Sequence, residues 1–95
     1  MLYGVKNGSL EDVTAALAAR LDCAFESRES DYLGEYSLAQ IGDDEIKIVT
    51  QPDPDGEPHE DRFEDYEVLI YSDAGADDFG LRDLPVGPSV VEILE

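Results

Sequence analysis

The segment SLEDVTAALAARLD, residues 9–22, predicts the main helix of the chain. Alanines separate its larger apolar residues and raise the intrinsic preference for helix. Ser9 precedes the segment as an N-cap, with Asp12 three residues later in an approximate capping box. The larger apolar residues recur at steps of three and four, which places them on one helix face: Leu10, Val13, Leu17 and Leu21. We therefore predict a helix over residues 10–22.

Outside this helix the chain reads as strands. The strongest is YEVLIYS, residues 66–72, which is rich in β-branched and aromatic residues. Residues 2–6 form a short first strand, and residues 90–94 form the last one. Between the helix and the strong strand, the pattern predicts an antiparallel meander, broken at Gly34 and Gly42, with strands at residues 25–32, 36–41 and 45–51.

These elements define an α+β fold in a single domain over residues 1–95. We expect a largely antiparallel sheet of five or six strands with the helix packed on one face. A length of 95 residues is typical of one domain. The hydrophobic content of 42% is too high for a disordered acidic tail. Residues 73–89 are rich in turn formers, with one helical turn predicted near 76–83.

The charge excludes several partners. The chain has 24 acidic and six basic residues, which gives a net charge of −18. Binding to DNA or RNA requires clustered Lys and Arg to displace counterions, and the six basic residues are scattered. Anionic membrane surfaces repel such a chain. We therefore expect neither nucleic acid nor a membrane as a partner.

The sequence predicts a cytoplasmic protein. Its first residues, MLYGVKNGSLEDV, lack the basic and apolar regions of a signal peptide. Its single cysteine, Cys23, cannot form an internal disulfide, which fits a reducing compartment. We expect Cys23 to be a small buried residue at the helix end.

The acidic residues are most concentrated in residues 53–67, which carry eight carboxylates and one arginine. This stretch is either a solvated loop that keeps the protein soluble or a surface for a basic partner. In the second interpretation, Tyr66 and Tyr32 are aromatic anchors of the contact, whereas Phe63 fits better under the loop in the core. The acidic candidates for this contact are Asp53, Asp55, Glu57, Glu60, Asp61, Glu64 and Asp65.

No catalytic, metal or cofactor site is predicted. The stretch Asp53-Pro54-Asp55-Gly56 is similar to part of an EF-hand loop, but the spacing places Gln51 first and Arg62 twelfth, where acids are required. Cys23 and His59 are too few for a structural zinc site. Carboxylates around Cys23 would raise its pKa and not activate the thiol. We therefore expect no enzyme.

The stretch LDCAFESRESDYLG, residues 21–34, resembles a pattern in small acidic proteins of actinobacterial type. In these proteins a leucine-rich helix leads into F-E-x-R-E-S-x-Y-x-G and then a strand. Asp55-Gly56, the acidic loop and residues 66–70 fit the same layout. They are similar to immunity proteins encoded beside bacterial polymorphic or contact-dependent toxins, and the resemblance covers roughly residues 10–72.

The resemblance implies a cytoplasmic protein that binds and inhibits a cognate, basic toxin protein, and that is a monomer when free. An acidic surface would speed association with such a partner. Alternatives stay open: an acidic DNA mimic that inhibits a nucleic-acid-binding protein, and a solubilised structural subunit. Residues 26–34 are either a polar edge strand whose charges prevent aggregation or, with Tyr32, an extension of the binding face.

Overall fold

The computed structural model describes residues 1–74, 77 and 79–95. These residues contain one α-helix, α1 (Leu10–Leu21), and a short 3-10 helix, Asp61–Phe63. The strands, in chain order, are β1 (Leu2–Val5), β2 (Glu26–Ser30), β3 (Gly34–Ile41), β4 (Asp44–Thr50), β5 (Val68–Ser72), β6 (Pro85–Val86), β7 (Ser89–Val90) and β8 (Glu92–Ile93).

Six strands form one sheet in the order β2-β3-β4-β5-β1-β8, and every neighbouring pair is antiparallel. The predicted α+β class, with a sheet of five or six strands and one main helix, is confirmed. The predicted meander is β2-β3-β4. Strand β5 continues the sheet beside β4, with Ile48 opposite Ile70, although residues 51–67 separate the two strands in sequence.

The end of the chain differs from the prediction of one strand over residues 90–94. Val90 pairs with Pro85 in a separate two-stranded sheet formed by β6 and β7, whereas Glu92 pairs with Gly4 of β1. The chain switches sheets at the buried Val91. The helical turn expected near 76–83 falls partly on residues 76 and 78, which lie outside the described residues. The described part of that stretch contains turns and no helix.

Helix α1 begins and ends where its sequence indicates. The Ser9 hydroxyl accepts a hydrogen bond from the Asp12 backbone N–H at 3.1 Å, and Asp22 ends the helix in the left-handed conformation, with φ of 50°. Val13 and Leu17 are fully buried against one face of the sheet, which we call the helix face. Tyr3, Val5, Ile46, Ile48, Val68 and Ile70 belong to the same core cluster.

The opposite face of the sheet, here the loop face, carries a second and smaller apolar cluster. Leu2, Val49 and Leu69 form its buried part. Side chains alternate between faces along a strand, so β5 directs Val68 and Ile70 to the helix and Leu69 to the loop face. All three residues are fully buried, so β5 is covered on both sides.

Candidate functional site

Residues 51–67, which join β4 to β5, are called the acidic loop. The loop crosses the loop face of the sheet. At one side Pro54 lies beside Gly34 at the start of β3, where an added Cβ would be 3.3 Å from the proline ring. At the other side the Tyr66 ring lies against Gly4 of β1, and Arg62 forms an ion pair with Glu95. The acidic loop therefore packs against the sheet at both sides and does not project freely into solvent.

Gln51 anchors the middle and the second half of the acidic loop. Its side chain is 8% exposed, and its amide nitrogen donates to the backbone carbonyls of Phe63 and Tyr66, each at 2.7 Å. Its amide oxygen accepts from the backbone N–H groups of His59 at 3.0 Å and Glu60 at 3.3 Å. One buried amide thus pairs with four backbone groups, of which the Phe63 carbonyl also accepts from the Tyr66 N–H at 3.1 Å. Gln51 was predicted only as the end of a strand and as a poor calcium ligand.

Asp53 stabilises the first turn of the acidic loop. One carboxylate oxygen, Oδ1, accepts from the backbone N–H of Asp55 and of Glu57, both at 2.9 Å. The backbone of Asp53 also accepts from Gly56 and donates to Glu57. Asp53 is half-buried and its carboxylate is engaged within its own loop, so it differs from the exposed acids with which it was selected as a contact candidate.

The outer side of the acidic loop presents carboxylates to solvent. Within the described residues, the ion pairs are Arg28–Glu26, Arg62–Glu95 and Arg82–Asp83, so no acid of this loop takes part in one. Arg62, the only arginine of the loop, pairs with Glu95 and not with an acid of the loop. The exposed acids of the loop that the sequence analysis selected are Asp55, Glu57, Asp61, Glu64 and Asp65.

Glu60 differs from these neighbours because it points back to the sheet. It is half-buried, and its Oε2 accepts a hydrogen bond from the Tyr71 hydroxyl at 3.1 Å. Burial of the Tyr71 phenol, together with the negative charge of Glu60, strongly raises the pKa of Tyr71. The pair connects the middle of the acidic loop to β5.

A cavity of about 280 Å³ lies between the acidic loop and the sheet, and we call it the loop–sheet pocket. It has an apolar part, an acid, a lysine and aromatic rings. The lining residues are Tyr32, Leu33, Lys47, Val49, His59, Glu60 and Tyr71. Two of the predicted contact residues, Tyr32 and Glu60, therefore meet at one pocket although they are far apart in sequence.

Tyr32 is the most exposed large apolar side chain of the described residues, at 73%. Its ring centroid lies 6.1 Å from that of His59, with the planes tilted by 53°. The Nε2 atom of His59 is enclosed and has no hydrogen-bond partner among the described residues. Buried polar atoms are nearly always paired, so this nitrogen is an unusual feature of the pocket wall.

Tyr66 lies apart from the loop–sheet pocket and packs over β1. Its ring contacts Phe63 edge-on, with 6.3 Å between the ring centroids, and the Lys6 ammonium lies 5.5 Å from its centroid. The hydroxyl donates to Glu92 at 3.2 Å. Burial and this carboxylate raise the pKa of Tyr66. The prediction that Phe63 packs under the loop is confirmed, because both rings pack against the loop-face cluster.

Residues Lys47, His59 and Tyr71 were not assigned to a binding surface in the sequence analysis. A signal for two of them was present in the alternation of the strands. Lys47 and Tyr71 each lie two positions from the apolar residue that faces the loop, and the register places them directly opposite each other. Period-two alternation therefore places both on the loop face.

Other candidate chemistry is limited. Among residues 1–74, 77 and 79–95, no group of three or more His, Cys, Asp and Glu side chains is placed to hold a metal ion. Cys23 is half-buried just after α1, and burial together with the charge of Asp22 raises the pKa of its thiol. Within the described part of the chain, no helix has the length and apolar character that a bilayer crossing requires.

Comparison with known proteins adds no relative. No protein-family model matches the chain, and no curated protein or solved structure matches it. The resemblance to immunity proteins therefore stays a prediction. The geometry of the acidic loop and of the loop–sheet pocket is what supports a function.

Proposed function

We propose that this protein is an immunity protein, which binds a basic bacterial toxin and blocks its active site. The observation that carries the proposal is the set of exposed acids on the acidic loop, none of which forms an ion pair within the described residues. Like charges held together on a folded surface destabilise the compact state. A basic partner would relieve this repulsion on binding.

The anchoring of the acidic loop supports this proposal. Gln51 and Asp53 fix its backbone through hydrogen bonds of 2.7–3.3 Å. A surface that is already ordered loses less conformational entropy when it binds, so more of the interaction energy appears as affinity. Opposite charges also raise association rates above the neutral range of about 10⁵–10⁶ M⁻¹s⁻¹. Fast capture is what a producing cell requires against its own toxin.

The lining of the loop–sheet pocket also favours a protein ligand. Its volume of about 280 Å³ accommodates a single side chain. Protein interfaces place single anchor side chains in such pockets. Tyr32, an exposed aromatic residue at this pocket, is of the type that carries binding energy at interfaces.

Co-expression tests the proposal. The C-terminal domain of the protein encoded by the neighbouring gene is induced in a heterologous bacterium, with and without this protein. We expect the domain alone to arrest growth, and the co-expressed protein to restore growth and to co-elute with the domain in size-exclusion chromatography. Growth arrest that is unchanged by the protein, with no complex formed, would contradict the proposal. Inhibition of a host nucleic-acid enzyme instead would support the DNA-mimic alternative.

A further inference from the structure

We infer that the loop–sheet pocket is a receptor for one arginine side chain of a protein partner, with Glu60 as the acid that pairs with the guanidinium. The identity of the partner rests on the proposed function, whereas the chemistry of the pocket does not. The size of the pocket, the groups that line it and the charge around it all favour this occupant.

The pocket matches one long side chain. Its volume of about 280 Å³ accommodates a single residue more readily than a folded segment. Leu33 and Val49 provide an apolar wall, against which the methylene stem of an arginine can pack. Exposed Tyr32 stands at the same pocket and offers a ring face to a cation.

Glu60 supplies the polar end of the pocket. Its carboxylate accepts one hydrogen bond, from the Tyr71 hydroxyl, and it forms no ion pair among the described residues. An ionised carboxylate has about four acceptor positions, so most of its capacity is unused. A guanidinium has five N–H donors in a planar fork that suits a carboxylate. Tyr71 holds the acid in place while leaving room for this contact.

His59 contributes another ring to the lining of the pocket. Its ring centroid lies 6.1 Å from that of Tyr32, so the two rings are neighbours at the pocket wall. The Nε2 atom of His59 is enclosed, so the contact with a guanidinium is assigned to Glu60 and Tyr32 and not to this nitrogen.

Lys47 weakens the preference of the pocket for a cation. It is the one cation in the lining, and it opposes a bound arginine. The net charge of −18, with exposed acids along the loop above the pocket, favours a cationic occupant despite Lys47. An arginine site and an anion site make opposite predictions for substitutions of Lys47 and Glu60. For an arginine site, removing Lys47 strengthens binding and removing the charge of Glu60 weakens it. For an anion site, both effects reverse.

The probe is N-acetyl-arginine N-methylamide, titrated into the ¹⁵N-labelled full chain and followed by two-dimensional NMR. We expect saturable shifts confined to the amides of Tyr32, His59, Glu60 and Tyr71. Glu60→Gln, which keeps an oxygen for Tyr71, should weaken binding about fivefold, the upper range for an exposed ion pair. Lys47→Gln should tighten binding.

Asp61→Asn is the matched control, because it removes the same charge from the neighbouring, exposed position. It should change binding by less than twofold. Equal weakening by Glu60→Gln and Asp61→Asn would overturn the inference, because the probe would then sense only the acidic field. Weaker binding of the probe to Lys47→Gln would overturn it as well. Circular dichroism and thermal melts verify that each variant is folded.

The outcomes separate the pocket from the proposed function. If the probe binds with the expected pattern while the protein protects no cell from the neighbouring toxin domain, the pocket stands and the immunity proposal fails. If the protein protects cells and the probe shifts are spread over the surface without saturation, the immunity proposal stands and the arginine pocket fails.

Discussion

The side-chain amide of Gln51 donates a hydrogen bond to the backbone carbonyl of Tyr66, with 2.7 Å between nitrogen and oxygen. Gln51, which directly follows β4, therefore contacts Tyr66, which lies two positions before β5. The backbone repeats this closure, because the Gln51 N–H donates to the carbonyl of Glu67 at 3.0 Å. The acidic loop is therefore closed at its base by one side-chain and one backbone hydrogen bond.

Gln51→Leu should lower the free energy of unfolding by about 3 kcal/mol, because it leaves the half-buried backbone groups of His59, Glu60 and Tyr66 without this partner, at roughly 1–3 kcal/mol for a fully buried group. Gln51→Glu should be at least as damaging, since it has no donors for the carbonyls of Phe63 and Tyr66. Urea denaturation measures both effects. Gln40→Leu is the control, because exposed Gln40 donates only to the Gly42 carbonyl. A Gln51→Leu protein as stable as the control would contradict the anchoring role.

Gly4→Ala should destabilise the protein by about 1–3 kcal/mol, the usual cost of overpacking. An added Cβ at Gly4 would lie 2.7 Å from Leu94 Cδ1 and 2.7 Å from Tyr66 Cδ2, so the side chains of Leu94 and Tyr66 both have to shift. Gly8→Ala is the control, because its nearest neighbour, Val5 Cγ1, is 3.3 Å away and needs to move by only a few tenths of an ångström. Thermal melts compare the two. Equal melting temperatures would show that the loop does not pack tightly on β1.

Reversing Asp61, Glu64 and Asp65 to Lys should leave the fold intact, because all three are exposed and form no ion pair within the described residues. It should slow association with the basic toxin proposed as the partner by about 10–100-fold at low salt and flatten the salt dependence, since exposed charges act mainly on encounter. Surface plasmon resonance at several ionic strengths measures this.

The matched control reverses Glu29, Glu35 and Asp43, which are exposed and lie outside the acidic loop. Both triple variants change the net charge by the same amount. An association rate that falls equally in the two variants would mean that only total charge matters, and that the acidic loop has no special position in the encounter.

Alkaline pH should destabilise the fold through Tyr66 and Tyr71. Burial and a nearby carboxylate raise the pKa of each phenol in the folded chain. Above the unfolded value of about 10, the folded chain therefore binds more protons than the unfolded chain. The stabilisation is complete below about pH 10 and is lost as the pH rises further. Tyrosinate absorbance at 295 nm should increase later in the native protein than in urea.

Tyr71→Phe should reduce the loss of unfolding free energy between pH 9 and pH 11, because the variant no longer has this ionisation. The comparison is of slopes with pH, so any constant effect of the lost hydrogen bond to Glu60 cancels. A slope equal to that of the parent protein would contradict the assignment of Tyr71 as an alkaline-sensitive group.

The helix and the sheet were predictable because their signals are local. The apolar spacing from Leu10 to Leu21 and the cap at Ser9 specify α1 without reference to the remainder of the chain. The meander follows from alternation and from turns. The split of the last strand was missed, because short strands such as β7 and β8 contain too few residues to show a period.

The sequence predicted which acids belong to the candidate site, but not how their side chains are arranged in space. Local charge identified the acids, but it did not distinguish Asp53, which holds a turn, from Asp61, which faces solvent. The direction of Glu60 depends on Tyr71, a residue on a different strand. Gln51 was missed because its partners are backbone atoms, which no residue pattern reveals.

The use of backbone partners by Gln51 has an evolutionary consequence. The carbonyl and N–H groups that it holds are present whatever side chains the acidic loop carries at these positions. Substitutions at exposed positions such as Asp55 or Glu64 therefore leave the anchor unchanged. The outer residues could change one at a time, in step with changes in the proposed toxin partner, while the backbone of the loop stays the same. Variation among descendants should then be greatest on the outer side of the loop and least at Gln51.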